Sequence, residues 1–142
     1  MSLVQRSNGK PKALPYAQRC FAGTLAMLLD GSLSPPEREQ AAFVARYVAR
    51  HVILDERLAT DVMRVIAIRL EEPSVVNALV HVLRRCADRG KFAAGLQRLA
   101  FVARQDGHWE AFVIITYEMQ EIREWRSHIT DLHQRSPWYR NL

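Results

Sequence analysis

The stretch "LLDGSLSPPERE", residues 28–39, contains the end of one helix and the start of the next. Glycine commonly terminates helices, so Asp30-Gly31 predicts that a helix ends at this point. Ser34 and Glu37 have the spacing of a capping box, and the prolines between them suit the first turn of a helix. The stretch therefore predicts two helices joined by a short turn.

The residues on both sides of this stretch keep a helical spacing of apolar side chains. From residue 15 onward, apolar residues recur three and four positions apart, which predicts amphipathic helices. The β-branched run "FVIITY" at residues 112–117 has the composition of a strand, but no other segment offers a partner strand. The predicted helices cover about residues 15–30, 35–51, 56–72, 74–90, 92–105 and 108–132.

These elements predict an all-α fold, a compact single-domain bundle of six to seven helices. A chain of 142 residues has the size of one ordinary domain. Residues 1–14 lack apolar periodicity, and we expect a flexible basic leader there. The helical domain is predicted to cover residues 15–135, followed by a C-terminal tail at residues 136–142.

The basic net charge of the chain lies at its two ends. Residues 1–14 carry a net charge of +3 and residues 123–142 a net charge of +2, whereas residues 15–122 hold 13 basic and 13 acidic side chains. The sequence has no apolar run long enough for a transmembrane helix and no apolar core of a secretory signal near its N-terminus. We therefore expect a cytoplasmic protein.

The Asp-Gly turn occurs a second time, at Asp106-Gly107. The segments "TLAMLLDG" and "RLAFVARQDG" both end an apolar helix, and each is followed by an acid and a long amphipathic helix. A pseudo-two-fold internal repeat is one interpretation of this pattern. Chance similarity between two short segments is the other.

The helix, Asp-Gly turn and helix at both places resemble the TerB-like family of tellurite-resistance proteins. The resemblance covers roughly residues 20–125. It implies a compact helical bundle and a divalent metal ion held by acidic residues at the two turns. The matching residues in this sequence are Asp30 and Glu37 at the first turn, and Asp106 and Glu110 at the second. A divalent cation is the one cofactor that the resemblance implies.

The same four acids also have a structural interpretation. Asp30 tolerates a helix end, Glu37 completes a capping box, and Asp106 and Glu110 lie where a helix dipole favours a carboxylate. A Ca²⁺ ion needs six to eight oxygen ligands. One shared metal site therefore requires that the two turns meet in space, and the sequence leaves both interpretations open.

Two further groups of residues are candidates for partner binding. They are a basic cluster of Arg84, Arg85, Arg89 and Lys91, and the aromatic pair Trp138 and Tyr139 in the tail. A basic cluster favours contacts with phosphates, although cations near a helix C-terminus also complement its dipole. Aromatic residues beside an arginine are typical of interface anchors, although they also suit a groove on their own domain.

No catalytic signature accompanies these residues. The histidines lack the spacing of a zinc motif, and the sequence contains neither a phosphate-binding glycine loop nor a nucleophile elbow. We expect a non-catalytic TerB-like binding or scaffolding module in bacterial stress response, linked to a divalent metal. A protein partner is expected, and a second copy of the chain is a further candidate partner. The alternative is a nucleic-acid-associated protein that uses its basic termini and the arginine and lysine cluster.

Overall fold

Helices account for nearly all of the described chain. The computed structural model describes the backbone of residues 6–7, 10–11, 15–84 and 92–135, and the side-chain surroundings of residues 15–84 and 92–122. The elements are β1 (Arg6–Ser7), β2 (Lys10–Pro11), α1 (Pro15–Asp30), α2 (Pro35–Val48), a 3-10 turn (Ala49–His51), α3 (Glu56–Ile68), α4 (Pro73–Leu83), α5 (Ala93–Gln105) and α6 (Trp109–Arg135). β1 and β2 pair as a short antiparallel ladder. The predicted all-α helical bundle is confirmed.

Local capping signals determine where α2 and α3 begin. Ser34 and Glu37 form both hydrogen bonds of the predicted capping box at the start of α2. At the start of α3, Oδ1 of Asp55 accepts a hydrogen bond from the backbone N–H of Leu58 at 2.8 Å. Each cap satisfies a backbone donor that has no partner inside the helix, so both helix starts agree with the prediction.

The start of α4 differs from the prediction by one residue. Ser74 was predicted to open this helix, but Pro73 is its first residue and Glu72 takes the capping position. Proline suits this place because its fixed φ is helical and its missing N–H would have no partner there. The predicted end of this helix, at Gly90, falls outside the described residues.

Both Asp-Gly turns contain a glycine in the left-handed region. Gly31 has a φ of 76° and Gly107 a φ of 77°. Any side chain at such a position costs about 1 kcal/mol or more, so glycine is the residue that ends a helix in this way. The two turns are therefore alike in backbone conformation, and each one joins two helices that pack against each other, α1 with α2 and α5 with α6.

The helix α4 lies at the centre of the bundle. It packs against α2, α3 and α6, whereas α1 packs on α2 and α3 and α5 packs on α6. Its buried residues are Val75, Val76, Ala78, Leu79, Val80, Val82 and Leu83. Burial of each valine or leucine contributes roughly 1.5–3 kcal/mol, so α4 is the main hydrophobic element that both helix pairs share.

The run "FVIITY" lies inside α6, as predicted, and not in a strand. The helix α6 has 27 residues, which makes it longer than any other helix of the described chain. Neither α6 nor another helix within the described ranges combines the length and the apolar character of a membrane span.

The inward face of α2 agrees with the sequence pattern only in part. The apolar spacing of α2 predicts that Ala41, Val44, Tyr47 and Val48 face the core. Ala41 and Val48 are partly buried and pack against the core, whereas Val44 and Tyr47 are exposed. The fully buried residues of α2 and the adjoining turn are instead three alanines, Ala42, Ala45 and Ala49. Small side chains allow α2 to approach its neighbours closely, and this leaves the large apolar residues of α2 on the surface.

Candidate partner-binding groove

The first acidic turn, between α1 and α2, uses its carboxylates to close the loop and to cap α2. Oδ1 of Asp30 accepts a hydrogen bond from the backbone N–H of Ser32 at 2.7 Å. Oε1 of Glu37 accepts one from the N–H of Ser34 at 2.9 Å, and Oγ of Ser34 accepts one from the N–H of Glu37 at 3.4 Å. Both acids therefore have structural roles at this turn.

These hydrogen bonds lower the pKa values of the two carboxyl groups. The side chain of Ser32, and then its backbone N–H, hold the pKa of Asp30 below the ordinary value of 3.8. The backbone N–H of Ser34, and then its side chain, hold the pKa of Glu37 below 4.5. Because the pKa is lower in the folded state than in the unfolded chain, the ionised carboxylates stabilise the fold at neutral pH. This stabilisation is lost as the pH falls through the folded-state pKa values.

We predict that Glu37→Gln makes the stability of the protein less dependent on pH between about pH 5 and 3. The amide oxygen of glutamine still accepts the hydrogen bond from Ser34, but the side chain no longer titrates. The measurement is the melting temperature at several pH values, with Glu39→Gln as the control for loss of an exposed acid outside the capping box. Equal pH dependence in Glu37→Gln and the wild type would contradict the prediction.

Arg38 connects this turn to the loop between α3 and α4. Its Nε lies 2.9 Å from Oε2 of Glu72, and its Nη1 donates a hydrogen bond to the carbonyl oxygen of Leu33. The side chains of Arg38 and Glu72 are mostly buried, and salt screens such a pair less than an exposed one. Arg38 thus connects the loop between α1 and α2 to the loop between α3 and α4.

The second acidic turn, between α5 and α6, does not join the first in a metal site. Asp106 caps the end of α5 and Glu110 lies in the first turn of α6, and both are exposed. Asp30 and Glu37 belong to the other helix pair. Among residues 15–84 and 92–122, no three His, Cys, Asp or Glu side chains are placed to hold one metal ion. The structure therefore does not bring the four predicted acids together as one group of metal ligands, and Asp30 and Glu37 instead accept hydrogen bonds within their own turn.

Of the predicted partner-binding residues, only Arg84 lies among those described. Its Nε donates to Oε2 of Glu118 at 2.7 Å, and its Nη2 lies 2.9 Å from Oε2 of Glu121. Its charge is thus used inside the protein, where it joins α4 to α6. The other predicted partner-binding residues lie outside the described side chains: Arg85, Arg89, Lys91, Trp138 and Tyr139.

A groove that the sequence did not predict runs along α4, between α2 and α6. The outward residues of α4 form its floor, and the hollows along it share lining residues, so they adjoin one another. The hollows have volumes of about 480, 400 and 270 Å³. The floor residues are Ser74, Asn77, His81 and Arg84. We call this feature the α2–α6 groove.

Two exposed aromatic residues of α2 line one wall of the groove. Phe43 is 65% exposed and Tyr47 is 60% exposed, and both line the groove beside Arg46 and Arg50. The guanidinium carbon of Arg50 lies 5.5 Å from the centre of the Tyr47 ring, within the range of a cation–π interaction. This wall therefore combines rigid aromatic surface with two arginines.

The opposite wall is formed by α6. Val113 and Tyr117, which are 62% and 60% exposed, line the groove together with the less exposed Ile114. Below them, Glu118 is only 1% exposed and accepts the hydrogen bond from Arg84. The ion pair between Arg84 and Glu118 thus holds the α6 wall against the floor.

The floor of the groove is polar, and its two ionisable side chains, His81 and Arg84, have partners within the protein. Nδ1 of His81 lies 2.8 Å from the carbonyl oxygen of Asn77, so this nitrogen is the donor. Arg84 is held by Glu118 and Glu121. Several exposed apolar side chains around one concave surface are typical of interaction sites, whereas single exposed apolar residues are ordinary. The arrangement is suited to binding a complementary surface.

Two signals in the sequence point to this groove. The helix α4 is apolar except for polar residues three and four positions apart, at Ser74, Asn77 and His81, which is the pattern of a single exposed stripe. On α6, Glu118 occupies a helical repeat with Ile115 and Ile122, where a charged residue needs a buried partner. The partner, Arg84, is 34 residues away, and the spacing does not identify it.

Comparisons with models of protein families, with curated proteins and with solved structures give no match. The resemblance to the TerB-like family therefore rests on the short turn motifs of the sequence.

Proposed function

We propose that this protein is a non-catalytic binding module that docks a segment of a partner protein in the α2–α6 groove. The observation that carries the proposal is the pair of apolar walls, with Phe43 and Tyr47 on one side and Val113 and Tyr117 on the other. Tyrosine is enriched among the residues that dominate binding energy at protein interfaces. In this protein, Tyr47 and Tyr117 line a concave and partly apolar groove.

The titratable residues of the floor support binding rather than catalysis. Arg84 and Glu118 are paired with each other, and Nδ1 of His81 is bonded to the backbone of its own helix. These bonds hold the side chains in place, which lowers the entropy that is lost when a partner binds. A preorganised floor with exposed apolar walls is the arrangement expected of a docking site.

Site-specific photocrosslinking tests this proposal. A benzoylphenylalanine residue at position 113 would lie in the groove, and one at position 101 would lie on α5, outside the residues that line the groove. Val113 and Phe101 are both 62% exposed, which makes them matched positions. We expect an adduct with one identifiable protein from position 113 and none with that protein from position 101.

Binding to the purified partner is the second part of the test. We expect Phe43→Ser to weaken binding by about thirtyfold, because removal of an aromatic anchor costs about 2 kcal/mol. Phe43 is largely exposed, so this variant should keep the wild-type melting temperature. Equal crosslinking from both positions, or unchanged affinity of Phe43→Ser, would overturn the proposal.

A further inference from the structure

Two arginines on the α2 wall have charges that the described protein does not neutralise. Arg46 and Arg50 lie one helical turn apart and line the same hollow as His81. Neither guanidinium forms an ion pair with a carboxylate of the described residues, and no acid lines this hollow. By contrast, Arg84 on the floor is paired with two glutamates.

The charge of the groove is therefore asymmetric. The α2 wall offers two free positive charges, whereas the acids near the α6 wall, Glu118 and Glu121, are bound to Arg84. A ligand that covers this surface places its own charges within a few ångströms of Arg46 and Arg50. Opposite charges there speed association and select the partner, and like charges are rejected.

We infer that the α2–α6 groove binds an acidic segment of a partner protein. This inference rests on the proposed function, because it specifies the chemistry of the occupant of that groove. Large apolar side chains of the segment pack between Tyr47 and Tyr117, and its Asp or Glu side chains pair with Arg46 and Arg50. The planar guanidinium group binds a carboxylate through two parallel hydrogen bonds, which adds geometric selectivity.

The surroundings of the groove favour this occupant over a nucleic acid. A nucleic acid needs a track of positive charge along its phosphates. The groove instead carries Glu39 near one end and Glu121 near the other. Residues 15–122, moreover, hold equal numbers of basic and acidic side chains. The positive charge at Arg46 and Arg50 is therefore local, which fits a few carboxylates and not a long polyanion.

A second copy of the chain fits the same surface poorly. Two copies that bind symmetrically through the same face bring the same residues of both chains to one interface. Where such an interface is centred on Arg46 and Arg50, the arginines of the two copies face each other at the symmetry axis and repel. An acidic segment of another protein supplies carboxylates that pair with Arg46 and Arg50.

Fluorescence anisotropy with the full-length protein and three labelled probes tests the inference. The first probe is an amidated peptide of about 16 residues with Leu and Phe at helical spacing and Glu elsewhere. The second is the same peptide with Lys in place of Glu, and the third is a single-stranded oligouridylate of about 12 nucleotides. We expect the acidic peptide to bind about tenfold more tightly than the basic one, and to weaken as salt is added.

Matched variants separate the role of charge from that of the apolar walls. We expect the double variant Arg46→Gln and Arg50→Gln to lose about tenfold in affinity for the acidic peptide and none for the basic one. The control is Arg98→Gln and Arg104→Gln, which removes the same charge from exposed positions on α5. Phe43→Ser is expected to weaken binding of both peptides.

Several outcomes would overturn the inference. They are equal affinity for the two peptides, an equal loss in the α5 control, tighter binding of the oligouridylate, and dimerisation that Phe43→Ser abolishes. If neither peptide binds but the crosslinked partner still depends on Phe43, the acidic-segment inference fails and the proposed function stands. If position 113 also captures no partner, both fail.

Discussion

Phe21→Ala is expected to lower the free energy of unfolding by about 4 kcal/mol, because it removes an aromatic ring from a closed core. The side chain of Phe21 is 0% exposed and packs in the main hydrophobic cluster. The variant loses the free energy that is gained when the ring moves from water into the core. It also leaves a cavity that the neighbouring helices fill only in part. Chemical denaturation followed by circular dichroism measures the loss, together with the denaturant slope.

Phe101→Ala is the matched control, because it is the same substitution in a helix of similar length. Phe101 is 62% exposed, so its removal should change the free energy of unfolding by less than about 0.5 kcal/mol. Similar losses in the two variants would contradict the assignment of Phe21 to the core. Phe43 is also largely exposed, so Phe43→Ser should likewise leave the free energy of unfolding nearly unchanged and is suited to binding measurements.

The second large effect is expected at the ion pair between α4 and α6. Arg84→Met leaves the carboxylate of Glu118 buried without its main charged partner, and we expect a loss of about 3 kcal/mol. The loss arises from the removed guanidinium charge and not from missing apolar contacts, because the methionine stem retains most of the arginine stem's packing. Denaturant titrations of the wild type and the variant provide the measurement.

A double variant distinguishes these two origins of the loss. Arg84→Met combined with Glu118→Met should recover most of the stability, because apolar residues often replace a buried ion pair without cost. Glu121→Gln is a milder control, since the Glu121 side chain is partly exposed and its pairing with Arg84 is worth less than about 1 kcal/mol. A double variant as unstable as Arg84→Met alone would show that packing, and not charge, explains the loss.

The ion pair and the groove are physically connected. Arg84 and Glu118 both line the hollow that Val113 and Tyr117 border. A variant that loosens this pair would also disturb the α6 wall, so it cannot separate stability from binding. Phe43, Arg46 and Arg50 are better positions for binding variants, because they are exposed on α2 and on the 3-10 turn that follows it.

The starts of the helices, and the ends of α1 and α5, could be predicted from the sequence because their causes are local. The ends predicted for α2 and α3, at residues 51 and 72, lie beyond the observed Val48 and Ile68. The capping box at Ser34 and Glu37, the cap at Asp55 and the left-handed glycine at Gly31 each act within a few residues. A short stretch of chain therefore contains all the information that its helix boundary needs. Two of the acids that the metal prediction used, Asp30 and Glu37, are part of this local chemistry, since each accepts a hydrogen bond within its own turn.

The inward face of α2 could not be predicted in the same way. Its apolar residues include both small and large side chains, so periodicity alone allowed more than one inward face. The choice depends on the packing of α2 against α1 and α4, which fully buries Ala42 and Ala45. This long-range constraint turned Phe43 and Tyr47 outward and thereby formed a wall of the groove.

The sequence by itself determined that the chain forms helices, where the described helices begin to within one residue, and that its Asp-Gly turns end helices. Tertiary structure decided which face of each helix is buried, that Glu118 pairs with Arg84 across 34 residues, and that α2, α4 and α6 enclose a groove. The physical reason is the range of the interactions. Helix ends depend on hydrogen bonds between near neighbours in the chain, whereas burial and ion pairing depend on which helices pack together.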